Sequence, residues 1–143
     1  MSRRWFAAAL AALCLFLAGC GAKQTADLSG TVMNDLSQMG GNMVYSYVYS
    51  MLREPEDYVG QVFRIRGVYQ PMIGSITGQL RHYIFIADAA ACCAEGLEFV
   101  LLDADAAYPE EGAQIEIIGM YAFYEDEEGF EFVRIEATSL TTP

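Results

Sequence analysis

Gly60-Gln-Val-Phe-Arg-Ile65-Arg-Gly67-Val-Tyr69 and Gly112-Ala-Gln-Ile-Glu-Ile117-Ile-Gly119-Met-Tyr121 are the two stretches whose reading decides the fold. Glycine, isoleucine, glycine and tyrosine recur in them in the same order, 52 positions apart, the nearest thing to an internal repeat in the chain. Around these markers the hydrophobic period is two, which is the signature of a half-buried strand. A glycine inside a strand marks a bulge or a sharp bend, of the kind that turns a corner in a small closed barrel. The same period continues outward and predicts five strands, at roughly 61–69, 82–88, 97–103, 113–124 and 129–138. Glu125-Asp126-Glu127-Glu128-Gly129 joins the last two as an acidic turn, with glycine supplying positive φ, so they form a hairpin. Between strands, 87–94 has room for one helical turn and 103–111 is an acidic connecting loop containing Pro109.

Upstream of Pro55 the period changes. Val32, Leu36, Met39, Met43, Tyr47 and Met51 recur every three or four residues and predict a helical face. Gly40-Gly41 interrupts it, which fits a helix pair or one helix with Asn42 as its N-cap, stopped by Pro55. The methionines on that stripe have the soft thioethers of a Cu(I) site, but the aliphatic and aromatic residues sharing the face favour core packing. The expected fold is therefore mostly β with an N-terminal helix. Its layout resembles the five-stranded OB barrel, with that helix in place of the usual one after the third strand; an α+β split sheet is the alternative.

The chain has 143 residues, 54% of them hydrophobic, with a formal net charge of −11, enough for one domain and too apolar for a disordered tail. Arg3 and Arg4, an apolar run from Trp5 to Phe16, and Leu17-Ala18-Gly19-Cys20 have the layout of a secretory signal peptide. The twelve apolar residues fall short of the roughly 20 that span a bilayer. Leu-Ala-Gly-Cys looks like a lipobox, which implies diacylglyceryl attachment to the Cys20 thiol and cleavage in front of it. The expected organisation is a signal peptide over 1–19, a lipidated tether over 20–30 whose small and polar residues stay flexible, and a domain over 31–143. That places the protein at the cell membrane, lipid-anchored on the extracytoplasmic face. The 124 residues from Cys20 onward carry 6 basic and 19 acidic side chains. Such a surface repels phosphate backbones, so nucleic acid is not an expected partner.

Processing leaves Cys92 and Cys93 as the domain's thiols. Neighbouring Cα atoms are held at about 3.8 Å, closer than an ordinary disulfide allows, so the pair is not a fold-holding bridge. His82, Asp88, Cys92 and Cys93 fall within twelve residues and are donors that bind zinc or copper. Adjacent side chains on a strand point to opposite faces, so both thiolates reach one ion only where the backbone turns, which Ala89-Ala90-Ala91 permits. The other readings are two small buried hydrophobes or a redox pair in a disulfide-permissive compartment, with His82 a solvated strand-edge residue. No nucleophile elbow or phosphate-cradling glycine loop is present, and Glu125 to Glu128 lack the pattern of a calcium loop. An enzyme is not expected.

Pro55-x-x-Tyr58-x-Gly60, Asp88-Ala-x-Ala-Cys92-Cys93-x-x-Gly96-x-Glu98-Phe99 and Tyr108-Pro109-x-x-Gly112 together resemble a family of uncharacterised bacterial lipoproteins, mostly of Gram-positive type, with an OB-like domain. The family segment commonly reads Asp-Ala-Thr-Ala-Cys-Cys, and here Ala90 replaces the threonine. A remoter similarity runs to the double-cysteine domain of permease-associated membrane proteins linked to zinc supply. What the resemblance implies is the fold, the location and metal association at Cys92, Cys93 and Asp88. Two functions follow as expectations: a tethered binding module for a metal ion, or an interaction module for an envelope or transporter protein, contacting it through Tyr69, Tyr121 and Tyr124.

Overall fold

The computed structural model describes residues 31–74 and 77–143. The expected signal peptide, the expected lipidation site Cys20 and the expected tether lie outside the described residues. Among the described residues there are six strands, β1 (Asn34–Asp35), β2 (Val62–Ile73), β3 (Leu80–Ala87), β4 (Ala94–Leu101), β5 (Gln114–Glu125) and β6 (Glu131–Thr141), all but β1 built on alternating apolar residues, and one α-helix, α1 (Gly41–Arg53). The order around the sheet is β1-β2-β3-β4-β6-β5, and β5 pairs back onto β2 to close it. Five strands thus form a ring in which only β4 and β6 run parallel, a Greek-key barrel of OB type. The two-residue β1 is an addition, lying parallel to β2 at Phe63 and Arg64; a strand that short carries no periodic signal.

The repeated stretches are antiparallel neighbours related by a local two-fold. Ile65 faces Ile117 at its centre, Phe63 faces Gly119 and Gly67 faces Ile115. Gly60 N–H donates to the Tyr121 carbonyl at 2.8 Å, and its counterpart Gly112 N–H to the Tyr69 carbonyl at 2.9 Å. The inner glycines are where the coiled strands pass closest to the next strand. A Cβ at Gly67 would come within 2.5 Å of the Phe85 carbonyl oxygen, and one at Gly119 would strike the Glu136 carbonyl oxygen and lie 2.6 Å from Ile135. Opposite Gly119 the β5–β6 register also slips by one residue, a bulge that bends the barrel wall.

Helix α1 closes one end of the ring. Val44, Val48 and Met51 enter a core shared with Phe63, Ile65, Ile84, Leu97, Phe99, Ile115, Ile117, Tyr121 and Ile135. Burying each such side chain contributes roughly 1.5–3 kcal/mol. Of the expected stripe, Leu36 and Met51 are buried and Met39 and Tyr47 pack against the core, but Met43 is 63% exposed and Val44 and Val48 take the interior in its place. Met51 is fully buried whereas Met33 and Met43 are 70% and 63% exposed, so these methionines do not share one environment. The N-cap is Gly40 and not Asn42, because the Asn42 side chain is used elsewhere, on the loop after β3. Residues 87–94 hold no helical turn; they close a hairpin at Ala87 opposite Ala94.

Candidate metal centre

The β3–β4 hairpin turns through Asp88 to Cys93. Its backbone is shaped by one carboxylate: Asp88 Oδ1 accepts the Cys92 N–H at 3.0 Å and the Cys93 N–H at 3.5 Å. Asp88 N–H donates to the Cys93 carbonyl and Ala91 N–H to the Asp88 carbonyl, both at 3.0 Å. Ala91 sits at φ 52, the left-handed conformation that reverses the chain. From outside, Asn42 Oδ1 accepts the Ala89 N–H at 2.9 Å and ties the loop to the first turn of α1. The turn overrides the alternation of strand side chains. The Cys92 and Cys93 sulfurs lie 3.8 Å apart, and the Cys92 thiol donates to Asp88 Oδ2 at 3.1 Å. Donor atoms of Asp88, Cys92 and Cys93 all lie within 4.8 Å of one another. Both thiols are exposed and unbridged, which removes the reading of the pair as buried core residues.

The electrostatics follow from this contact. The hydrogen bond from the Cys92 thiol, helped by the Cys92 and Cys93 amides, holds the Asp88 carboxyl below its ordinary range. The same bond and the Asp88 charge push the Cys92 thiol up to about 11, with Cys93 adding to the effect. A proton is thus kept between Cys92 and Asp88, and any cation that took both groups would have to displace it.

His82 does not join these donors. It lies six residues before Asp88 along β3, about 20 Å at ~3.3 Å per residue. Its ring stacks on Tyr108 at 3.5 Å and its Nδ1 shares a hydrogen bond with the Tyr69 hydroxyl at 2.7 Å. Burial pushes the imidazole below its ordinary value, which favours the neutral ring. Tyr69 and Tyr121 are core residues, 3% and 0% exposed, and present no contact face. Tyr121 hydroxyl donates inward to the Met51 carbonyl at 2.9 Å, joining β5 to α1. Both were expected on an outer face, but each closes a repeated stretch whose inward positions are the glycine-flanked ones.

Tyr124 is half-buried, and around it lies a cluster that residue spacing did not reveal. Its hydroxyl accepts from Arg81 Nη1 at 2.6 Å and contacts both Glu98 oxygens at 2.8 Å. Arg81 also pairs with Glu98 at 3.3 Å and with Asp126 at 3.7 Å, its side chain only 12% exposed. The guanidinium lies 4.9 Å from the Phe132 ring centre. These contacts hold the β5–β6 hairpin against β3 and β4 beside a cavity of about 240 Å³ lined by Arg81, Tyr83, Asp126, Phe130 and Phe132. The only sequence signal for it was Arg81 at an outward strand position opposite an acidic turn.

No family model and no curated protein matches the chain. Among solved structures it is similar to the second OB-fold domain of replication protein A from Methanococcus maripaludis, at 11% identity over 77% of this chain and 94% of that one, with a TM-score of 0.30. The assignment to the OB class rests on the strand order described above, a small barrel carrying a vicinal-thiol loop beside its capping helix.

Proposed function

We propose that this protein is a lipid-anchored, extracytoplasmic binding module that holds a metal ion at Asp88, Cys92 and Cys93, a lipoprotein of the kind its Asp-Ala-x-Ala-Cys-Cys motif resembles. The observation that carries the reading is the convergence of two thiols and a carboxylate within 4.8 Å on a loop held by its own Asp88 carboxylate and by Asn42 from α1. Zinc and copper both take such donors. The site is pre-formed before any ion arrives, which removes the ordering cost that a slack loop would have. The anchor is Cys20, whose sulfur carries the lipid, and the acidic surface disfavours nucleic acid as a partner.

The test uses reduced full-length protein in detergent. Zinc or copper uptake should be stoichiometric, protect Cys92 and Cys93 from alkylation, release protons and weaken as pH falls. Cys92→Ser and Cys93→Ser should each weaken uptake by about one to two orders of magnitude, at least the scale seen when metal-site partners are perturbed. Free alkylation of both thiols in saturating metal, with no uptake, rejects the metal site. Separately, labelled fatty acid should appear in the wild type and vanish in Cys20→Ser; a variant that kept the label and its membrane association would remove the anchor.

A second reading has its own observation. Phe130 and Phe132 are exposed on the β5–β6 hairpin and Phe132 stacks on Tyr124, an aromatic strip suited to a protein partner in the envelope. Of the three tyrosines expected to make such contacts, only Tyr124 borders this strip.

A further inference from the structure

We infer that the ion held at Asp88, Cys92 and Cys93 is a four-coordinate divalent cation of the zinc type whose fourth position is left open to a donor from outside the chain. This rests on the metal reading above and goes beyond it in coordination and exchange. The bite of the two sulfurs sets the geometry. With metal–sulfur bonds of about 2.3 Å, two thiolates at the tetrahedral angle stand roughly 3.8 Å apart, whereas a linear ion on the same bond length needs about 4.6 Å. The sulfurs are at 3.8 Å already. A carboxylate oxygen at about 2.1 Å from the same ion belongs roughly 3.6 Å from each sulfur. Asp88 Oδ2 lies 3.1 Å from the Cys92 sulfur, so the two need part by only about half an ångström, which losing the shared proton accomplishes.

Among the described residues no fourth histidine, cysteine, aspartate or glutamate donor joins the three. The single histidine is held in the Tyr69–Tyr108 stack at the far end of β3. The loop is exposed on its sulfur side, so solvent or a donor molecule has access. Three protein ligands with an open fourth place is the arrangement of zinc sites that do chemistry or exchange ligands, in contrast to the closed four-ligand structural sites. On binding, two S–H bonds break, two metal–thiolate bonds form, and both protons leave to solvent; no electron moves. The ion is therefore presented at the tip of a hairpin, where an imidazole or thiol can bond to it before any protein ligand lets go.

The experiment titrates reduced full-length protein in detergent with Co(II) as a spectroscopic substitute, then adds imidazole, then Zn(II). The expected result is one cobalt per chain, a thiolate-to-cobalt charge-transfer band and the intense visible bands of four-coordinate Co(II). Imidazole should shift those bands with one-to-one saturation while the cobalt stays bound, and zinc should abolish them. Bands that saturating imidazole leaves unmoved overturn the open position, as does one cobalt per two chains, which means a second copy closes the shell. Weak six-coordinate bands overturn the tetrahedral bite. If neither Co(II) nor Zn(II) binds the wild type, the metal reading itself falls, an outcome distinct from a bound but closed site.

Discussion

Asp88 organises the thiol loop by spending one carboxylate oxygen on backbone amides and the other on a thiol. Its donors were visible from residue types within twelve positions of sequence. Their convergence was not, because it depends on the left-handed Ala91 and on the reach of Asn42 from a helix 47 positions earlier. Asn42→Ala should leave the fold intact and loosen the loop, measured as faster amide exchange at Ala89 and Cys92. The glycines that announced the barrel are single-residue constraints of another kind. Gly119→Ala drives a methyl into backbone atoms of β6, and should cost roughly 2 kcal/mol or more by urea denaturation. Gly41→Ala, whose new methyl meets Ala89 at an ordinary 3.7 Å, should instead stabilise by about 0.5–1 kcal/mol through the unfolded chain. Equal effects of the two substitutions would contradict the close-approach argument.

The strands were legible from period-two patterning and turn glycines, and four of the five gained or lost only a few residues at their ends. Helix α1 shows the limit of that approach. Met51 faces inward as its spacing implies, but Met43 yields its place to Val44 and Val48, because Met and Val are both apolar and only contact with β3 and β4 decides which of them faces inward. The β5–β6 hairpin was legible as an element, but its docking was not, since the Arg81–Glu98–Tyr124–Asp126 cluster is assembled from three separate segments. Arg81→Met should expose that dependence. It leaves Glu98 and Asp126, 13% and 5% exposed at the side chain, without their cation. A loss of about 2 kcal/mol is expected, less than for a fully buried pair, together with faster proteolysis at 126–130. A hairpin as protected as in the wild type would show that Arg81 does not hold it.

For the whole molecule, charge and topology act together. Only one histidine titrates near neutrality, so the pH response in that range is simple. Burial holds the folded His82 below the ordinary imidazole value of 6.5, so as pH falls past about 6.5 the unfolded chain takes up a proton the folded chain refuses. Stability therefore declines from there toward the folded value and levels off below it. Thermal unfolding at pH 7.5 and 5.5 should show this loss in the wild type and a flatter response in His82→Gln; identical slopes would acquit the histidine. The repeated strands carry a kinetic consequence. Ile65 and Ile117 mark a two-fold axis, so segment 60–69 is complementary to a segment that largely copies it. During synthesis β2 emerges some fifty residues before its proper partner and can meanwhile satisfy its edge with the same segment of another nascent chain. The delay before β5 appears therefore sets the interval in which the β2 edge is open to pairing with another copy of itself instead of closing the barrel.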